Sequence, residues 1–496
     1  MTTMNALLLE PTDLLFLRDA VPMSAGQGKG AGCRMPFPST LHEAFRASLL
    51  QANGGATIGK REEGRPPGAA RTGNWHANGH DGKTFIATRA FRSLRTLGPL
   101  PLILQDREGN PLIWQQRRFG QETGVEVRYA GLVLPVPLDV AFETRELCEK
   151  APGEPDRKWT ERVALRRLQL WRDTSVPACQ ISQRPSDFRP PCLPLAATPA
   201  DKHGQLSGWW TVSQYRAYLE LAAHGQARVD NSRDFFRPLL TSDLWEPEYR
   251  IGVEIEPGTS AAMPHQLFAG THLRPHTQTR FVAWAEVAAA DRARNGEAEA
   301  RRREQGQLER LDWLLLGGEF RLARVWHKDA DNHPLPDYLG DLKKVPSPPA
   351  GTGPCLLKWL LVTPAIFAHG SLPGWCVDTI KDRSGGPLPV GRVCFDLPGR
   401  AQLISWCLDK PITVSGWDVV EQRAKPTRLA VPAGSAFYFL CQDRPTAIQL
   451  ARKLHWQPRS DFYGEKGCGY GLVSFDVSTH PTSPDVSALA HELFNA

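Results

Sequence analysis

No stretch of this chain approaches the roughly 18 consecutive apolar residues of a membrane-spanning helix. Its longest apolar patches, at 311–316 and 356–362, have the length of buried strands or short helices. The opening MTTMNALLLEPTD lacks a cationic leader, and its apolar run stops at Glu10. No secretory signal is read there, and the cytoplasm is the expected compartment. The 10 cysteines form no CxxC pair, so the close ligand spacing of a structural zinc site is missing and scattered reduced thiols are expected. GxSxG and HExxH patterns are lacking too, and no carboxylate cluster suits a two-metal site. Neither a cofactor nor a metal is expected.

Charge of one sign is also scarce. Lys+Arg 59 against Asp+Glu 53 leaves +6 over 496 residues. That field permits an anionic partner without demanding one. Turn chemistry is abundant instead: Gly 43 and Pro 42 with 41% hydrophobic residues argue against a helical bundle or coiled coil. The length makes two or three domains the starting expectation.

Short apolar or alternating runs at 5–9, 100–104, 131–135, 209–212, 250–256, 281–287, 356–362, 412–414 and 436–440 read as strands. Thr40 and Glu43 form a capping-box pattern ahead of a helix whose stripe is Leu41, Phe45 and Leu49. Residues 54–83 are rich in Gly, Pro, Arg and His and read as an insertion loop; residues 291–310 are densely charged and read as a solvated helix or linker. Alternating strands and helices in two blocks give an α+β class, divided at 1–245 and 246–496. Strands at 5–9 and 250–256 are each expected at the centre of a separate sheet.

Several patterns imitate chemistry without its context. Residues 77–84 resemble a phosphate loop, but Ala77 replaces its first glycine and no strand precedes it. His272 and His276 stand four apart with Pro275 between them, which breaks the helix that would align them. His42, one turn from Arg46, is the one acid/base candidate, and a lone helical histidine is more often structural. The run Gly464-Glu465-Lys466-Gly467-Cys468-Gly469-Tyr470-Gly471 precedes a strand rather than a helix, which disfavours a dinucleotide turn. Four glycines in eight residues still mean close backbone approach. Two readings stay open: a tight structural turn, or a loop whose amides, Lys466 and Tyr470 meet RNA.

Taken in order, several segments go further. Residues 15–19 (LFLRD), the glycines of 26–32, PFPST at 36–40 with the helix carrying Arg46, YRIGVEIE at 249–256, GGE at 317–319, LVTPA at 361–365, SGWD at 415–418 and VPAGS at 431–435 all fall in place. Together with the C-terminal glycine-rich loop they resemble CRISPR-associated RAMP proteins. More closely, they resemble the third subunit of the Cmr (type III-B) effector module. The 54–83 and 291–310 segments look like insertions relative to that pattern.

The resemblance implies two ferredoxin-like (RRM-related) domains with long loop insertions. It implies a non-catalytic subunit of an RNA-guided, RNA-targeting antiviral ribonucleoprotein. The expected partners are the 5′ tag of the crRNA, the large polymerase/cyclase-like subunit, neighbouring backbone RAMP subunits and, indirectly, target RNA, with no membrane. Expected RNA contacts are Arg18, Lys29, Arg34 and Arg46 as cations, Ser39 and Thr40 at a helix N-terminus, and Gly464, Lys466, Gly467, Gly469, Tyr470 and Gly471 in the loop. The rival reading is a metal-independent crRNA-processing endoribonuclease using His42. A scaffold that touches only protein is the third.

Overall fold

The computed structural model describes residues 4–17, 29–30, 35–52, 75–76, 86–87, 91, 93–105, 129–149, 157–172, 188, 190–195, 207–224, 228–230, 235–256, 258–288, 297–319, 321–327, 338–351, 353–377, 390–418, 423–476 and 485–495. The 54–83 segment and the phosphate-loop look-alike fall outside these, apart from the short strands in which Trp75 and His76 pair with Ala87 and Ile86.

The apolar run at the start of the chain forms β1 (Asn5–Pro11). It is followed by β2 (Lys29–Gly30), α1 (Pro38–Ala52), β3 (Leu94–Gln105), β4 (Tyr129–Pro135), β5 (Val140–Glu149), β6 (Arg157–Arg167), β7 (Trp209–Thr211) and α2 (Val212–Ala223). Then come β8 (Trp245–Ile255), β9 (Ala262–Pro275), β10 (Thr279–Val287), α3 (Glu297–Leu308), β11 (Trp313–Leu315) and β12 (Leu322–His327). Seven of these strands make one sheet in the order β7-β4-β3-β10-β1-β12-β11, with antiparallel pairing throughout. Its central four strands, β3-β10-β1-β12, are joined by α1 between β1 and β3 and by α3 between β10 and β12.

Strand alternation sends Leu7 and Leu9 to the face covered by α1, whose Leu41, Phe45 and Leu49 are fully buried against them. The helix starts at Pro38, a residue suited to the first helical position because it lacks an N–H. Thr40 therefore lies inside the first turn, donating its N–H to Phe37 O at 2.8 Å, rather than capping it.

A second sheet follows: β13 (Cys355–Leu361), β14 (Ala401–Cys407), β15 (Ile412–Val414), β16 (Arg428–Ala430), β17 (Ala436–Cys441), α4 (Arg444–Leu454), β18 (Gly471–Phe475) and α5 (Val486–Asn495). Its order is β14-β17-β13-β18, again antiparallel, with β15 and β16 paired separately. Leu357, Trp359, Phe437 and Phe439 pack under Leu450 and Leu454 of α4. A single apolar layer containing Leu97, Leu102 and Trp284 from the first sheet and Leu356, Leu360, Tyr438 and Leu472 from the second joins the two.

Three expectations change here. Residues 250–256 are no sheet centre; they lie in β8, which pairs with β9 as a long hairpin to which β2 adds a short parallel strand. β13 holds the central place instead. The boundary at 245/246 meets the start of β8 but separates no sheets, because β10 and β12 flank β1. Residues 297–308 are the helix their charge suggests, yet as a connecting element of the first sheet rather than an insertion, tied by Val287 N–H to Gln305 Oε1 at 2.8 Å and Phe91 N–H to Glu304 Oε1 at 2.8 Å. Periodicity hides this because α3 is polar nearly all round. The α+β class holds.

The β8–β9 hairpin leaves Tyr249 (78% exposed), Ile251 (79%) and Leu267 (62%) open to solvent. At its base Phe16 stacks on His272 with centroids 4.6 Å apart. Gly318 of the GGE turn donates its N–H to Phe16 O at 2.7 Å, and a side chain at Gly317 would strike the same carbonyl.

Candidate nucleic-acid interface

After α4 the chain passes Ile366 and Gly374 and runs through the glycine-rich loop. Its amides are used internally. Lys466 N–H donates to Tyr463 O at 3.0 Å, Gly467 to Gly464 O at 3.1 Å, Cys468 to Tyr463 O at 3.1 Å and Gly469 to Pro364 O at 2.8 Å. The expected anion nest is therefore not formed by these four groups. The glycines answer to packing instead. Gly467 has φ +95°, and a Cβ there would lie 3.1 Å from Thr96 O and 3.2 Å from Pro38 Cβ. Gly469, at φ +77°, lies against the Ser460 backbone, and Gly471 against the Trp359 indole.

The loop seats on the N-terminal part of α1 and on β3. Thr96 donates its N–H to Glu465 O at 3.1 Å, and the Lys466 ammonium pairs with the Glu43 carboxylate. Burial opposes ionisation of Glu43, but Lys466, His42 and Lys425 outweigh it and bring its pKa from 4.5 to about 2. The last loop and the first helix thus form one composite surface, at which α1 presents Ser39 and Thr40, both half-buried. Gly464 is half-buried at the same place, 3.4 Å from Pro458 by its notional Cβ.

Other expected contacts are elsewhere. Arg46 is 1% exposed; burial draws its pKa down against the attraction of Glu43 and Glu304, so its guanidinium belongs to the interior. His42 is also 1% exposed, with Nδ1 3.3 Å from Thr96 Oγ1. The Tyr470 ring lies in the layer between the sheets, and its backbone N–H donates to Thr363 Oγ1 at 3.0 Å. It is no stacking platform. Lys29 lies in β2 beside Ala269, its side chain outside the described residues, as are Arg18 and Arg34 altogether. Burial of these residues could not be read locally: Tyr470 is covered by distant segments, and of the two carboxylates near Arg46 one, Glu304, comes from far along the chain.

The structure brings forward residues that motif reading passed over. Phe37, Phe462 and Tyr463 lie half-buried on a small core of Ile366, Val414 and Ala430. The Arg428 guanidinium lies over the Phe462 ring, 3.6 Å from its centroid, and Lys466 Nζ over Tyr463 at 5.1 Å. The available signal was the aromatic pair Phe462-Tyr463 directly ahead of the glycines. Asp461 fixes the approach by accepting from Ala368 N–H at 2.8 Å and Gly374 N–H at 2.7 Å. Aromatic faces backed by cations, beside a helix N-terminus, are the elements that single-stranded nucleic acid is held by. Among the described residues, no group of three or more His, Cys, Asp or Glu could hold a metal ion. No described helix is long and apolar enough to cross a membrane.

Residues 7–475 match the family model described as CRISPR-associated protein (Cas_Cmr3). Among solved structures, a chain of the type III-B Cmr-beta complex bound to cognate target RNA is similar at 11% identity, covering 87% of this chain and 86% of that one with TM-score 0.36. A chain of the Csm3–Csm4 subcomplex of the type III-A CRISPR-Cas interference complex is similar at 8% identity, covering 88% and 94% with TM-score 0.30. No curated protein matches.

Proposed function

Since the chain belongs to the Cas_Cmr3 family of CRISPR-associated proteins, we propose that it is the non-catalytic subunit that holds the 5′ tag of the crRNA and docks the large polymerase/cyclase-like subunit. The observation that carries the RNA part is the composite surface of α1 and the glycine-rich loop, with Phe37, Phe462, Tyr463 and Arg428 beside Ser39 and Thr40. Single-stranded RNA offers bases for the rings and phosphates for the cations. The strand orders β3-β10-β1-β12 and β14-β17-β13-β18, each equivalent to second-third-first-fourth, support two ferredoxin-like units. In the second unit the stretch from β13 to β14 has, among its described residues, only the short turn Gly374–Cys376 where a first helix would stand.

The non-catalytic reading is supported by the burial of His42, the one acid/base candidate of the rival endoribonuclease. The docking reading is supported by the hairpin: exposed Tyr249, Ile251 and Leu267 form the kind of apolar patch that an assembly covers. Purified protein mixed with crRNA, with and without its 5′ tag, tests the proposal. Tighter binding of the tagged RNA without cleavage is expected. Cleavage would favour the endoribonuclease, and no binding would leave the scaffold.

A further inference from the structure

The run CLLKWLL places one lysine in an otherwise apolar strand. Alternation along β13 turns Leu357, Trp359 and Leu361 toward α4 and Leu356 and Leu360 into the layer shared by the two sheets. Lys358 shares their face and is 0% exposed. A buried ammonium is tolerated only where its charge is answered. The answer comes from the other half of the molecule. Asp139, 1% exposed between β4 and β5, places Oδ2 3.0 Å from Lys358 Nζ. Lys358 Nζ also donates to the Tyr218 hydroxyl of α2 at 2.7 Å, and that hydroxyl donates to Asp139 Oδ1 at 2.5 Å. Tyr438 of β17 donates to Asp139 Oδ2 at 2.7 Å. Beside them Arg167, at the end of β6, donates to both carboxylate oxygens of Asp476 at 3.0 and 3.1 Å.

Two cations and two carboxylates balance. The links Lys358–Asp139, Lys358–Tyr218, Tyr438–Asp139 and Arg167–Asp476 all cross between the halves. Apolar contact supplies adhesion but no direction, whereas hydrogen bonds tolerate little misalignment. The surface where Lys466 meets Glu43 is itself made from both halves, so its geometry depends on how they are placed. We infer that Asp139, Lys358, Tyr218 and Tyr438 form a buried polar latch that fixes the placement of the two sheets and so keeps the composite interface assembled. They are positioning residues, and the last step rests on the RNA-binding reading above.

The test replaces the charge pair by apolar groups, Asp139→Leu with Lys358→Met, and uses Tyr218→Phe as a milder companion that removes one hydroxyl and keeps the ring. Distance labels go in as non-canonical residues at Arg303 and Arg452, both on helix surfaces, one per half. The double variant leaves the Tyr218 and Tyr438 hydroxyls without these partners; it is expected to fold with a lowered melting temperature, to show a broadened distance distribution, and to bind tagged crRNA about tenfold more weakly. A distribution as narrow as the parent's would overturn the latch whatever the RNA does. If the double variant does not fold, Tyr218→Phe decides in the same way: broadening supports the latch and an unchanged distribution overturns it. A parent that binds no RNA would defeat the RNA reading alone, because the distance comparison still judges the latch.

Discussion

Lys466, in the last loop of the chain, is paired with Glu43, in its first helix. The pair ties the second unit to the first at the surface proposed to receive RNA, and it makes Glu43 a more acidic group than an ordinary glutamate.

That acidity has a pH signature. A carboxyl whose pKa falls from 4.5 to about 2 on folding stabilises the fold above pH 4.5 and loses that contribution as pH falls toward 2. After allowance for solvent screening it is worth about 1–3 kcal/mol. Glu43→Gln should lower the melting temperature at pH 7 and flatten the decline below pH 4.5. Parallel acid limbs in melts of parent and variant would contradict this.

Gly469 and Gly464 should respond oppositely to a side chain. Gly469→Val puts a Cβ into the Ser460 backbone at a φ of +77° and should cost about 2–4 kcal/mol, by the mechanisms that produce large losses. Gly464→Ala has room and should stay within about 0.5 kcal/mol. Chemical denaturation of the two variants separates these outcomes.

Arg46 and Arg428 should part in the same manner. Arg46→Ala removes a cation from the interior beside Glu43 and Glu304 and should lower stability by about 2–4 kcal/mol, leaving the salt dependence of RNA binding as it was. Arg428→Ala should hardly alter stability, yet weaken binding and reduce the log–log salt slope by about 0.7. Titrations at three or more salt concentrations read both.

On the hairpin, Tyr249→Ser with Ile251→Ser removes two of the most exposed apolar side chains. Stability should change by no more than about 0.5 kcal/mol, while co-purification with the other effector subunits should fall several-fold. Full recovery of the assembly would assign the docking surface elsewhere.

Local order was readable where one residue's neighbours in sequence are also its neighbours in space. The stripe Leu41–Phe45–Leu49 and the alternation of 281–287 declared a helix and a strand. The motif series found the family. Pairing between distant strands leaves no local mark, so sequence pattern alone puts β10 and β12 in the second block, whereas they flank β1. The same limit hid the site: Arg46 and Tyr470 have residue types suited to RNA, and only the packing of distant segments over them makes them interior. Lys358 stood in plain view within an apolar run, but its counter-charge lies 219 residues away.

Among the described residues, the first strand of the chain pairs only with β10 and β12. Its earliest partner, Thr279–Val287, leaves the ribosome about 270 residues after β1 does. At about 5–20 residues per second, Leu7, Leu8 and Leu9 wait roughly 15–50 s with both strand edges unpaired. During that interval the nascent chain is a substrate for anything that binds an open apolar strand. The seven-stranded sheet therefore closes late, when β10 joins β1 to strands β3, β4 and β7 that are already in the chain, and production of the protein depends on how well that first strand is sheltered until then.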